Sequence, residues 1–170
     1  MKKYEFIEET KSLKDGTVLR RIRALRDIKL VNGAVVKGGD LGGFLESEEN
    51  LSQVGTSWVF TDAMVYGDSE VYGSALVGGT ARVYGDATVC EEARVGGSAE
   101  IYGDAELYEE SCVFGNAHVY GFAEVYGSAR VYGNARVYGS ARVYGDARVG
   151  ENKRVYGEME VSGAVKRGDD

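Results

Sequence analysis

Few side chains in this sequence can do chemistry alone. It has one histidine, His118, and two cysteines, Cys90 and Cys112. A single imidazole can act as a general base, but it cannot supply a zinc site of several imidazoles within one chain. No Ser-His-Asp or Cys-His arrangement can be placed without His118, and Gly38-Gly39-Asp40-Leu41-Gly42-Gly43 lacks the spacing and the Lys-Ser or Lys-Thr of a phosphate loop. Dinucleotide and EF-hand fingerprints are absent from the sequence as well. The remaining chemistry is cationic and aromatic. Residues 128–154, which include Arg130, Arg136, Arg148 and Arg154, hold six basic side chains against two acidic ones, whereas residues 86–125 hold one against nine. An anion can sit on the first of these regions, where guanidinium groups can meet phosphate. The plainer alternative is a solvated rod with ion pairs between neighbouring rungs, since exposed pairs are common and weak.

What positions these groups is a repeat. From Val59 to Val161 an aliphatic residue recurs at every sixth position, eighteen times, and the residue two before it is Ala or Ser at nearly every step until Lys153 and Met159. A unit such as Ala-Arg-Val-Tyr-Gly-Asp reads as in, out, in and then a corner, because side chains alternate along a strand and Gly before Asp, Asn or Ser supplies a bend. A period of six fits neither one face of a helix nor a hairpin array, so the chain must coil. Small residues alternating with Val imply a narrow section with three corners, eighteen residues per coil and about six coils, roughly 29 Å long at the usual strand spacing.

Eighteen-fold recurrence of an aliphatic residue, with Ala or Ser four positions later, resembles the hexapeptide-repeat left-handed β-helix family. More narrowly, Gly39-Asp40-Leu41-Gly42-Gly43-Phe44 followed by Glu46-Ser47-Glu48-Glu49-Asn50-Leu51-Ser52-Gln53 is similar to the YdcK-like hexapeptide proteins of bacteria and their phages and prophages, often labelled acyltransferases on fold. The resemblance implies an all-β fold: a single-stranded left-handed parallel β-helix, a triangular prism of about six regular coils. It also implies homotrimers, and an alternative activity in which His118 is the general base of an acyltransferase using acetyl-CoA or another acyl-CoA held between protomers. One departure is that Tyr, with Gly after it, mostly follows the aliphatic residue here. Another is that the hexads run unbroken, whereas such enzymes commonly extrude a loop to build the site. A γ-class carbonic anhydrase, also on this fold, needs three histidines per protomer and is excluded.

With residues eighteen apart stacked, the surface reads as columns. Tyr66, Tyr84, Tyr102, Tyr120, Tyr138 and Tyr156 form one unbroken ladder. Such a ladder stiffens the sheet, and it also offers a contact surface, so these six tyrosines with Arg130, Arg136, Arg148 and Arg154 are the candidate binding residues. The residues just before each aliphatic point outward: Trp58, Leu76, Arg94, Cys112, Arg130, Arg148 on one face, Met64, Arg82, Glu100, His118, Arg136, Arg154 on the second, and Glu70, Thr88, Glu106, Glu124, Arg142, Glu160 on the third. Cys90 and Cys112, twenty-two residues apart, are displaced along the coil and read as free thiols.

Tyr4 to Lys11 and Thr17 to Leu25, joined by Lys14-Asp15-Gly16, predict a β-hairpin. Residues 1–50 are read as an N-terminal β cap with an irregular first coil that opens on Val35 and Leu41, residues 51–165 as the repeat, and 166–170 as a charged tail. No apolar run suits a membrane span or a signal peptide, which predicts a cytoplasmic protein. A pI near 4.9 and a net charge of -7 over 170 residues argue against general nucleic-acid binding. The expected function is therefore non-catalytic: a rigid oligomer, with a trimer favoured, that binds a host protein or a small anionic ligand, without metal or cofactor.

Overall fold

The computed structural model describes residues 2–163; the expected charged tail at 166–170 lies outside them. From residue 58 each hexad gives a two- to four-residue strand and a corner, and successive strands join three different parallel sheets in turn. Each sheet is six strands deep in this region, in a register of eighteen: Met64, Arg82, Glu100, His118, Arg136 and Arg154 are Cα partners in one of them. The sequence expectation of a parallel β-helix of about six regular coils is what forms, and three sheets agree with three corners per coil.

One unit shows how. Ala81 and Val83 are fully buried, Arg82 between them is exposed, and the corner is Tyr84-Gly85-Asp86. The N–H of Arg82 donates to the carbonyl of Ala99 (2.9 Å), that of Tyr84 to Ile101 (3.0 Å) and that of Asp86 to Gly103 (3.0 Å). A β-branched residue and an alanine thus fill a section too narrow for two large side chains, while every coil satisfies the backbone of its neighbour. The corner glycine is required where coils touch. Gly97 sits at φ 65°, and a Cβ there would lie 2.8 Å from the backbone N of Gly115. Glu91 and Glu109 take this left-handed conformation without glycine, each at φ 55°, and the Glu109 N–H donates to the Glu91 carboxylate at 2.9 Å. Beside another corner, Asn116, Asn134 and Asn152 link coils through side-chain amide bonds of 3.2 and 3.1 Å.

The N-terminal hairpin is formed by β1 (Tyr4–Ser12) and β2 (Val18–Ala24), with the Thr17 N–H donating to Asp15 at the turn. A two-stranded ribbon, β3 (Ile28–Lys29) and β4 (Val35–Val36), follows. β5 (Leu41–Leu45) then pairs antiparallel with β2 and parallel with Met64–Val65, so β5, β2 and β1 extend one solenoid sheet past its first coil and occupy that open edge.

The phase at this junction differs from the sequence expectation. Val35 and Leu41 do not open the first coil; they are 44% and 47% exposed. The buried aliphatics are Leu45 and Leu51, which align with Val65 and Val71, twenty residues on rather than eighteen. Two extra residues between Leu51 and Val59 absorb the offset, after which Val59 aligns with Val77. The joint is tied by Asn50, at the end of a 3-10 turn (Glu48–Asn50), whose amide donates to the carbonyls of Gly67 and Ser69 at 2.8 and 2.9 Å.

A second correction concerns Trp58, Met64 and Leu76. Their outward positions predict exposure, yet they are 1%, 3% and 7% exposed. The cap covers the first two: Tyr4 meets the Trp58 ring edge-on at 6.5 Å, and Leu19 and Phe44 pack with Met64, while Leu76 is the strand partner of Trp58. The apolar character of Trp58 and Met64 is thus a docking signature for the cap, which shares one core with the solenoid. Lys3 is buried in this seam, its ammonium donating to the Ser57 carbonyl and hydroxyl at 2.8 and 3.1 Å, and burial lowers its pKa to about 8.

Candidate functional site

The outward positions give the three sheets different chemistry. One, here the glutamate sheet, shows Glu70, Glu106, Glu124 and Glu160 with Thr88 and Arg142. The second, the histidine sheet, carries His118 between Glu100 and Arg136. The third, the arginine sheet, runs Arg94, Cys112, Arg130, Arg148 once the buried Trp58 and Leu76 are passed. The four arginines singled out from sequence are therefore divided. Arg130 and Arg148 are neighbours on the arginine sheet, and Arg136 and Arg154 are neighbours on the histidine sheet.

The Tyr66–Tyr156 ladder is continuous. Consecutive rings are stacked at centroid distances of 5.0, 5.0, 4.8, 5.1 and 5.6 Å. Their faces are turned to one another, so the column presents ring edges and hydroxyls outward. Tyr84 donates to Glu100 at 3.2 Å, and burial, reinforced by that carboxylate, pushes its phenol well above the ordinary value. A second run, Tyr108–Tyr126–Tyr144, stacks at 4.9 and 5.2 Å beside the glutamate sheet. Two coils before it in the same column, Tyr72 hydrogen-bonds the Cys90 thiol of the intervening coil, and that bond with burial raises its pKa to about 12.

The His118 imidazole is partly exposed, with Nδ1 3.8 Å from the Glu100 carboxylate and its ring edge-on to Tyr102 at 6.4 Å. Glu100 also faces Arg82 at 3.9 Å and accepts from Tyr84, so this carboxylate serves three neighbours. Cys90 is buried and Cys112 half-buried, both free. Among the described residues no three His, Cys, Asp or Glu side chains are grouped to hold a metal ion. No helix among them is long and apolar enough to cross a membrane.

The column beside the arginine sheet holds a feature that sequence reasoning did not assign to a site. It reads Phe60, Gly78, Gly96, Phe114, Tyr132, Gly150. At Gly96 a cleft of about 310 Å³ opens, lined by Arg94, Val95, Gly96, Cys112, Phe114 and Arg130 among others. The sequence signal was the pair of glycines interrupting an aromatic column, visible only once the residues are set eighteen apart.

Coils in strict eighteen-residue register, three parallel sheets and an antiparallel cap define a hexapeptide-repeat β-solenoid. A family model described as the YdcK beta solenoid repeat matches residues 129–143, within the most regular coils. That short match, together with the solenoid fold, makes the chain similar to the YdcK-like hexapeptide-repeat proteins. Among curated proteins none matches it.

Proposed function

We propose that this protein is a non-catalytic binding protein, a rigid oligomeric solenoid, a trimer in its simplest form, whose arginine sheet takes up a small anionic ligand. One observation carries the reading: Arg94, Arg130 and Arg148 stand on one sheet that has no carboxylate at an outward strand position, whereas each of the other two sheets carries glutamate there, which Arg82 and Arg142 face. Uncompensated guanidinium groups on a preorganised surface lose little entropy when they meet an anion. The family resemblance supports a phage or prophage origin, in which sequestering such a ligand in the bacterial cytoplasm would modulate a host defence process. Native mass spectrometry of the protein as purified tests this. We expect an oligomer carrying a small-molecule adduct that is lost in the Arg130→Glu/Arg148→Glu variant. An adduct-free oligomer that captures a host protein instead would replace the ligand by a macromolecular partner.

A second reading has one contact in its favour, the Glu100 carboxylate beside His118, which can orient the imidazole as a general base for acyl transfer from acetyl-CoA. Thermal shift with millimolar acetyl-CoA, and activity after His118→Ala, separate the two. Stabilisation by the thioester with loss of acyl transfer in the variant would favour the enzyme.

A further inference from the structure

We propose that the cleft over Gly96 is a site for a nucleoside phosphate, its base entering the aromatic column as the missing rung and its phosphate meeting Arg94 and Arg130. The proposal rests on the binding reading above and gives it a place and a ligand class.

The column itself shows the vacancy. Rings here lie over the rung that follows them: a Cβ on Gly78 would be 3.6 Å from the Phe60 ring, and one on Gly150 would be 2.2 Å from the Tyr132 ring. Both glycines are thus roofed by the aromatic residue before them. Gly96 follows a glycine, has no roof, and a Cβ built on it meets nothing within 4 Å. On its other side Phe114 is 41% exposed and stacks on Tyr132 at 5.5 Å, with its remaining face towards the gap. A flat ring at the Gly96 level would sit about 4.8 Å from the neighbouring rung, a spacing that suits aromatic stacking. The gap reaches inward as well: Val95 is 4% exposed, while Val77 and Val113, its equivalents on the adjacent coils, are fully buried.

The polar lining matches the other half of such a ligand. Arg94 shares the coil of Gly96, and Arg130 lies two coils on with only Cys112 between them. No carboxylate lines the cleft, and neither guanidinium has an ion pair among the described residues. A volume near 310 Å³ is at the small end of ligand sites, fitting one base and its phosphate rather than a longer chain. Stacking a base on an exposed aromatic face while arginine holds phosphate combines two sequence-tolerant attractions.

The test is isothermal titration of the purified oligomer with ADP, with adenosine and inorganic pyrophosphate as half-ligands. ADP should bind, and each half-ligand should bind at least tenfold more weakly. Gly96→Tyr fills the gap with the ladder's own residue in open space, so the variant should fold with an unchanged or higher melting temperature and lose ADP binding. Arg94→Ala and Arg130→Ala should each weaken ADP at least tenfold, and ADP should slow Cys112 alkylation in the wild type. Undiminished ADP binding by Gly96→Tyr, or pyrophosphate binding as tightly as ADP, overturns the proposal. If the purified protein carries an adduct that Gly96→Tyr retains and Arg130→Glu/Arg148→Glu loses, the binding reading stands and the slot falls. If it carries none and ADP does not bind at millimolar concentration, both fall.

Discussion

On the glutamate sheet, Arg142 sits between two acids, 3.4 Å from Glu124 and 3.6 Å from Glu160, so that part of its charge is answered within the sheet. On the arginine sheet, Arg94, Arg130 and Arg148 have no acid at the outward strand positions, and Cys112 is the only other side chain in that run. Inside, the two are alike: Leu107 and Val125 on one and Val113 and Val131 on the other are fully buried. The backbone pattern consumes alternate residues for the core and leaves the rest uncommitted. One surface can therefore settle its charges while its neighbour keeps them available, at no cost to the coil.

If the inner ladder rather than outer charge holds the coils, the largest effect comes from the inside. Leu107→Ala, behind the glutamate sheet, should destabilise the fold by about 3 kcal/mol, within the range for a buried leucine truncation. Chemical denaturation measures it. A loss well below 1 kcal/mol would mean that external pairs carry the sheet.

Next come two serines at equivalent small positions. Ser69, preceding the first strand of the glutamate sheet, has its hydroxyl 2.8 Å from the Tyr66 carbonyl and 3.2 Å from that of Val83. Ser111, preceding Cys112 on the arginine sheet, is equally buried and its hydroxyl has no partner. Ser69→Ala should cost about 1 kcal/mol, and Ser111→Ala should gain about as much, because one removes a made bond and the other an unmet one. Equal effects in urea melts would show that Ser111 finds an acceptor and that the two small positions are interchangeable.

The sheets themselves were legible from Val59 onward because a six-residue period with alternating Val and Ala leaves one solution, and the columns it defines proved to be the stacked rings. The first coil was not. Val35 and Leu41 matched the arithmetic of the period, but burial is decided by contact with the cap, and the extra two residues before Val59 shift Leu45 and Leu51 into the core instead. Trp58 and Met64 carried a readable signal, large apolar groups at outward positions, whose meaning required knowing what lay against them. For the candidate site, Arg130 and Arg148 could be found as a charge excess. Their separation from Arg136 and Arg154, and the gap at Gly96, depend on which sheet and which corner each residue occupies.

The smallest expected effect contrasts the corner columns in alkali. Tyr108, beside the glutamate sheet, donates to Glu124 at 3.1 Å, and burial together with that carboxylate raises its phenol above the ordinary value near 10. The column beside the arginine sheet has phenylalanine at Phe60 and Phe114, which cannot ionise. A phenol whose folded pKa exceeds its unfolded one stabilises the fold fully below pH 10, and that stability is lost as pH rises from 10 through the folded value, since the unfolded chain releases its proton first. Melting temperatures between pH 9 and pH 11 should thus fall more gently in Tyr108→Phe, which keeps a ring to stack on Tyr126 at 4.9 Å but has no proton to lose. Phe114→Tyr, placed where no carboxylate hydrogen bond awaits it, should leave the alkaline slope closer to that of the wild type. Identical slopes in wild type and Tyr108→Phe would mean that the Glu124 contact is too well solvated to shift the phenol, and that the two columns differ in shape alone.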